Sequence, residues 1–255
     1  MLSASHLRLI WKLAATTFLV HSGFCASTPA PLGHTEHKVS FHRDVWGHRP
    51  GPKGFSTVIL DAGHGGRDSG ARSSTTGQQE KDAALVMVRL VRDELKNKMN
   101  CVLMRDADEF VDLDERVAYA NRYEDAVLVS IHFNSGASRL CGPEVYYWRV
   151  DSYTLAKRIM SNLASLGCPQ HGNRGLVRRR LRLTRNPEIP CVLVECGYLS
   201  NQHEASMILM PSYRIQLAHA VAQAILTQRV EGDGNLGPLP KPLYAPLSRP
   251  TDARE

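Results

Sequence analysis

Two histidines and two glutamates stand where buried apolar runs give out, and together they have the makings of a metal-dependent hydrolytic site. His64 lies in a glycine-rich loop that follows Val58-Ile59-Leu60, with Asp61 and Asp68 close by. Glu80 closes that loop. His132 ends the apolar run Ala126-Val-Leu-Val-Ser-Ile131, and Glu195 ends Val192-Leu-Val194. A charge set directly after a buried strand is costly unless it is paired or metal-bound. Two histidines and a carboxylate form a catalytic zinc set that leaves a fourth position for water. A second carboxylate just outside that set would take the water's proton and pass it to a leaving amine. Each residue also has a plain structural reading. The histidines could be satisfied at strand ends, Glu80 could favour a helix N-terminus, and Glu195 could pair with an upstream arginine. Taken one at a time these readings compete evenly; four at once, all at sheet edges, favour a shared site.

The elements that must position these residues follow from periodicity. Residues 58–61, 102–104, 126–131, 144–150 and 190–194 read as strands. Residues 81–98, 113–122, 154–166 and 213–225 carry apolar residues at helical spacing. Strands alternating with helices predict an α/β layered sheet, whose ligands bind where the strands end. The glycine-rich loop is not a nucleotide cradle, because no Gly-Lys-Ser/Thr follows and the spacing is not that of a dinucleotide fingerprint.

At 255 residues, 43% of them hydrophobic and 22% charged, the chain suits one globular domain with tails. Its formal charge of +6 favours an anionic partner without choosing one. Arg8 and Lys12, an apolar stretch over 13–20 and then small residues have the order of a secretory signal, so residues 1–27 read as a leader. The apolar stretch is too short for stable membrane insertion, so an exported protein is expected, periplasmic or extracellular. Residues 28–54 read as a linker, its four histidines (His34, His37, His42, His48) being too irregular for a metal tract. Residues 55–230 read as the catalytic domain and 231–255 as a disordered tail. Of the six cysteines, Cys25 leaves with the signal; the other five form no CxxC pair, which excludes a zinc knuckle. One disulfide is compatible with export, with its partners open.

The stretches Leu60-Asp-Ala-Gly-His-Gly-Gly-Arg-Asp-Ser-Gly-Ala71, Glu80-Lys-Asp82, Arg105-Asp106, Leu113-Asp-Glu-Arg116, Val129-Ser-Ile-His-Phe-Asn-Ser135 and Val194-Glu-Cys-Gly-Tyr-Leu-Ser-Asn201 occur in that order. In this the chain resembles the zinc-dependent N-acetylmuramoyl-L-alanine amidases of the Amidase_3 family, peptidoglycan hydrolases. The resemblance spans residues 56–228. It implies a single-domain phosphorylase/hydrolase-like α/β fold with a mostly parallel or mixed sheet. It also implies that His64, Glu80 and His132 bind Zn2+ and that Glu195 is the catalytic carboxylate. Ala62, Met104, Phe133 and Cys196 depart from the usual family residues without removing a ligand; Phe133 could narrow the cleft. The interval from His132 to Glu195 lacks the extra helix that plugs the site in some members, so an enzyme active without an activator is expected.

Six arginines (Arg174, Arg178, Arg179, Arg180, Arg182, Arg185) crowd before the strand leading to Glu195. A solvated basic face is the simple reading; contact with stem-peptide carboxylates is the functional one, with Arg178 as its representative. Asn134 and Tyr198 are further candidates for binding substrate. Nucleic acid is not an expected partner, since no aromatics interleave the charges. Peptidoglycan is, met by a monomer. The rivals are a zinc peptidase cutting within the stem peptide, a Cys/His hydrolase using Cys196, and a catalytically silent wall-binding or regulatory module.

Overall fold

Strands and helices alternate in the computed structural model, which describes residues 51–166, 175–241 and 243. The strands are β1 (Thr57–Ala62), β2 (Asn100–Leu103), β3 (Ala126–Asn134), β4 (Glu144–Tyr147), β5 (Leu176–Arg178) and β6 (Cys191–Tyr198). The helices are α1 (Glu80–Leu95), α2 (Leu113–Ala120), α3 (Val150–Ala164), α4 (Arg182–Arg185), α5 (Gln202–Leu209) and α6 (Pro211–Glu231). The strands form one six-stranded sheet in the order β2-β1-β3-β6-β4-β5. Its pairings are parallel except that β4 runs antiparallel to β6. The α/β sheet flanked by helices is the architecture expected.

Alternation along the central strands sorts their side chains onto two unlike faces. Val58, Leu60, Val127, Val129, Ile131, Val192 and Val194 point into the main core. There they meet buried residues of α1, α3 and α6 such as Val88, Leu155, Leu217 and Val221. Helix α6 packs against both α1 and α3, which is why it is apolar on more than one stripe. On the opposite face Ile59, Leu128 and Cys191 make a smaller core with Ala120 and Leu183. The next residues on that face are Asp61, Ser130, His132 and Glu195. Only the short α2 and α4 lie on this side, so the carboxyl ends of β1, β3 and β6 stay open to a cavity.

Local signals account for several boundaries. Helix α2 opens on a capping box, Asp112 with Glu115. Helix α6 opens on Pro211 and stops at Gly232, whose φ is 60°. The strand expected over 144–150 ends at Tyr147, because Val150 already begins α3. β5, α4 and α5 were not anticipated: β5 and α4, with 3 and 4 residues, are too short for periodicity to show, and the 8-residue α5 falls in the stretch read as the turn before α6. Hydrogen bonds tie residues on either side of 55–230 to the sheet-and-helix body. The Gly51 N–H donates to Asp233 at 2.8 Å, Gln228 donates to the Pro52 carbonyl at 3.0 Å, and Lys157 donates to the Leu236 carbonyl at 2.7 Å. The proposed leader, most of the linker, Cys168, Arg174 and the end of the tail lie outside the described residues. No helix among the described residues is long and apolar enough to cross a membrane.

Candidate active site

One carboxylate oxygen gathers both histidines. Glu80 Oε1 lies 3.0 Å from His64 Nε2 and 2.9 Å from His132 Nδ1. One ligand atom from each of the three residues falls within 4.8 Å of the others. Chains remote in sequence meet here because β1 delivers its loop beside β3, and α1 begins where that loop returns. The register pairs Ala62 with Ile131, one residue short of His132. Glu80 is the first residue of α1 and is 5% exposed. Its other oxygen accepts the Ala71 N–H at 2.8 Å, and Oε1 also accepts the Phe133 N–H at 3.2 Å. The loop tolerates only glycine at two points. A Cβ on Gly63 would stand 2.2 Å from His132 Cε1; one on Gly70, at φ 62°, would stand 2.5 Å from His64 Cδ2. His64 itself takes φ 58°, a conformation costly for a residue with a side chain and found where function demands it.

Glu195 belongs to the same floor without belonging to the triad. β3 and β6 pair His132 directly with Glu195, so the carboxylate stands one strand over from the donor set. After this pair β6 carries an extra residue relative to β3, and the register shifts between His132 and Asn134. Bulges of this kind re-aim strand ends beside active sites. His64, Glu80, His132 and Glu195 all line a cavity of about 430 Å³, a size that holds a small-molecule or peptide ligand. Its walls are Phe110, Val111 and Leu113 at one end and Tyr146, Leu181 and Leu193 at the other.

Residues 58–227 match the Amidase_3 family, N-acetylmuramoyl-L-alanine amidase. The chain belongs to the Amidase_3 family. It is 37% identical over 174 residues to the protein YqiI of Bacillus subtilis, covering 66% of this chain and 82% of that one. It is 32% identical over 173 residues to the probable cell wall amidase LytH of Staphylococcus saprophyticus, of which it spans 56%. Among solved structures it resembles an N-acetylmuramoyl-L-alanine amidase from Clostridium difficile 630, with a TM-score of 0.64 and 31% identity. That likeness covers 69% of this chain and 97% of the other. Amidase_3 enzymes are generally metal-dependent, and the His64, Glu80, His132 cluster is a possible metal site in this one.

The remaining candidates separate. Asn134 lines the cavity, its amide 3.5 Å from the Tyr146 hydroxyl. Tyr198 does not: it is 3% exposed and donates to Glu144 at 2.5 Å. Arg178 also turns away, donating to the carbonyls of Trp148 at 2.8 Å and Lys241 at 2.6 Å. Its neighbour Arg179 lines the cavity instead, because successive residues leaving β5 point to opposite sides. Phe133 is fully buried in the main core, as is Cys196. Burial pushes the Cys196 thiol far up from its ordinary value, with the charges of Glu195 and Glu204 adding to it. Burial also pushes Cys101 up to about 11. A thiolate mechanism through Cys196 is therefore corrected: the sulfur faces the helices behind the sheet. Iodoacetamide on the folded protein is expected to leave wall hydrolysis within a factor of about two, since only the thiolate reacts; release assays before and after alkylation check this.

Sequence reading assigned no role to the residues that hold the floor together. Arg116 donates to the carbonyls of Ala62 at 2.9 Å, His64 at 2.7 Å and Val111 at 3.0 Å, and pairs with Asp61. Asp61 in turn accepts the Ser130 hydroxyl at 2.6 Å, and that oxygen lies 3.1 Å from His132 Nε2. Arg105 donates to the carbonyls of Ala62 at 2.9 Å and Gly63 at 2.8 Å. Asp68 holds His64 Nδ1 at 2.8 Å. Such partners fix ring orientation at metal sites. Their signal was alternation: Ser130 and His132 are two apart on one strand and share a face.

These contacts set the protonation of the metal-free cluster. Burial opposes charge on His64, but the hydrogen bonds and charges of Glu80 and Asp68 outweigh it and raise its pKa above 6.5. Burial likewise works to raise Glu80, yet the two imidazoles hold it well below 4.5. The stabilisation from His64 is full below pH 6.5 and is lost as pH rises through its raised pKa. That from Glu80 is full above pH 4.5 and is lost only as pH falls through its lowered one. Metal must displace the His64 proton. Divalent-metal affinity is therefore expected to rise with pH until His64 is neutral and then level off. Titration calorimetry at several pH values checks this; affinity falling with pH would contradict it.

Proposed function

We propose that this chain is a zinc-dependent N-acetylmuramoyl-L-alanine amidase. It hydrolyses the amide joining the lactyl group of N-acetylmuramic acid to the L-alanine of the peptidoglycan stem. The observation that carries this reading is the convergence of His64 Nε2, His132 Nδ1 and Glu80 Oε1, with Glu195 in register beside His132. The nitrogen, nitrogen and oxygen donors suit zinc, and the shared carboxylate oxygen marks where a cation would draw them together. A zinc ion there supplies Lewis-acid chemistry, activating water and polarising a carbonyl. Within the chain, Asp68 and Ser130 hold the two imidazoles in orientation. Glu195 takes the proton from the attacking water and returns it to the departing amine. Asn134 lies along the cavity wall and orients the substrate there.

The amidases this family comprises act on peptidoglycan, which lies outside the cytoplasm, and export of this chain fits that location. Two features support it. The order of residues 1–27 is that of a secretory leader, and Cys141 is disulfide-bonded, a bond that persists in oxidising compartments. We read residues 28–54 as the linker to the catalytic domain and the protein as a monomer that needs no activator.

Mass spectrometry of muropeptides after digestion, with and without chelator, tests the reading. Free stem peptides beginning at L-alanine are expected, together with unsubstituted glycan strands, and chelator is expected to abolish both. Peptides cut internally would instead support a zinc peptidase, and no product with bound metal would support a silent wall-binding module.

A further inference from the structure

The amidase reading leaves one basic residue of the cavity without a task. Arg179 follows β5 directly, its N–H donating to the Tyr147 carbonyl at 2.8 Å. Its guanidinium lies 5.6 Å from the centre of the Tyr146 ring, a platform that restricts where the charge can go. The other basic groups lining the cavity are already engaged: Arg116 with Asp61, and His64 and His132 with Glu80. Among the described residues Arg179 makes no ion pair. It is an exposed cation at the lip of a cavity whose floor is dominated by carboxylates.

Position across the sheet says which part of a substrate it meets. The triad sits on the loop after β1, on β3 and on α1, Glu195 on β6, Tyr146 on β4, and Arg179 after β5, with the strands in that spatial order. Glu195 protonates the leaving amine, so the peptide departs on the Glu195 side and continues toward β4 and β5. Two strand spacings are roughly 10 Å, which an extended peptide covers in about three residues. A guanidinium reaching back over Tyr146 therefore meets the residue after L-alanine. In peptidoglycan this is a D-glutamyl unit linked through its side chain, whose α-carboxyl is free in some walls and amidated in others.

Resting on the amidase reading, we propose that Arg179 is a specificity-determining residue that binds this free α-carboxylate. A planar fork of N–H donors matches a carboxylate in geometry as well as charge. The test uses two synthetic N-acetylmuramoyl peptides that differ only in whether the second residue carries a carboxylate or a carboxamide. Full-length, zinc-loaded protein is compared with Arg179→Met. The unsubstituted enzyme is expected to favour the acid by about ten- to a hundredfold in kcat/KM, the range of one charged hydrogen bond. That preference should lie mostly in KM. Arg179→Met should bring the ratio close to one by losing rate on the acid, with circular dichroism and zinc content matching the parent to certify its fold. A loss of the same factor on both peptides also overturns the proposal. An equal ratio in both proteins, or no preference in the unsubstituted one, overturns the proposal while leaving the amidase intact. Failure to cleave either peptide at the muramoyl bond overturns the amidase reading and this inference with it.

Discussion

Glu195→Gln is expected to keep its zinc and lose turnover, by roughly 100- to 10,000-fold, the range for removing a general acid or base. Two observations make the effects separable. Glu195 is absent from the cluster whose ligand atoms converge, so its loss removes no donor. It is also the direct cross-strand neighbour of His132, so it stands beside any water activated there. Glutamine keeps the shape and most hydrogen-bonding capacity but neither accepts nor returns a proton. Elemental analysis should find the same metal content in variant and parent, and muropeptide release should collapse with KM little changed. Turnover at the parental rate would remove Glu195 from the mechanism. Loss of zinc would move it into the ligand set. Glu80→Gln provides the contrast. It disturbs the shared oxygen between both imidazoles, so metal content should fall together with activity.

How far the site was legible before the fold depended on what each residue does. His132 and Glu195 announced themselves because a charge at the end of an apolar run is expensive, and the run itself located the strand. Their cross-strand pairing was not legible. It depends on β3 and β6 being neighbours although some sixty residues separate them in the chain, and neither strand states its partner. Arg178 and Arg179 show a finer limit. Both stand in one basic run, and only the exit direction of a three-residue strand decides which enters the cavity. β5 is that strand, too short for alternation to register. The split of the sheet into a thick and a thin face was latent in the sequence. Residues 58, 60, 127, 129, 192 and 194 are all valine or leucine, whereas 61, 130, 132 and 195 on the other face are polar. Helix lengths then determine that the polar face is the open one.

Arg116→Met is expected to cost about 3–5 kcal/mol of stability, the range for breaking a buried ion pair from one side. Arg116 is 3% exposed and Asp61 is 0% exposed, so the abandoned carboxylate could not recover its hydration without opening the sheet. The loss also frees the carbonyls of Ala62, His64 and Val111, three points at which the loop carrying His64 is held. Zinc affinity should therefore fall as well, which a purely global destabilisation would not produce under conditions where the variant is still folded. Lysine is a poor substitute, because one ammonium cannot reach three carbonyls and a carboxylate from a single fork. Denaturant unfolding of zinc-free protein measures the first effect and titration calorimetry the second. The decisive comparison adds Asp61→Asn. If the cost of Arg116→Met lies mainly in a stranded charge, the double variant should be more stable than the sum of the single changes predicts, with a coupling of about 0.5–3 kcal/mol. Additive losses would mean that Arg116 acts through the loop carbonyls, and that the ion pair contributes little beyond orienting Ser130 toward His132.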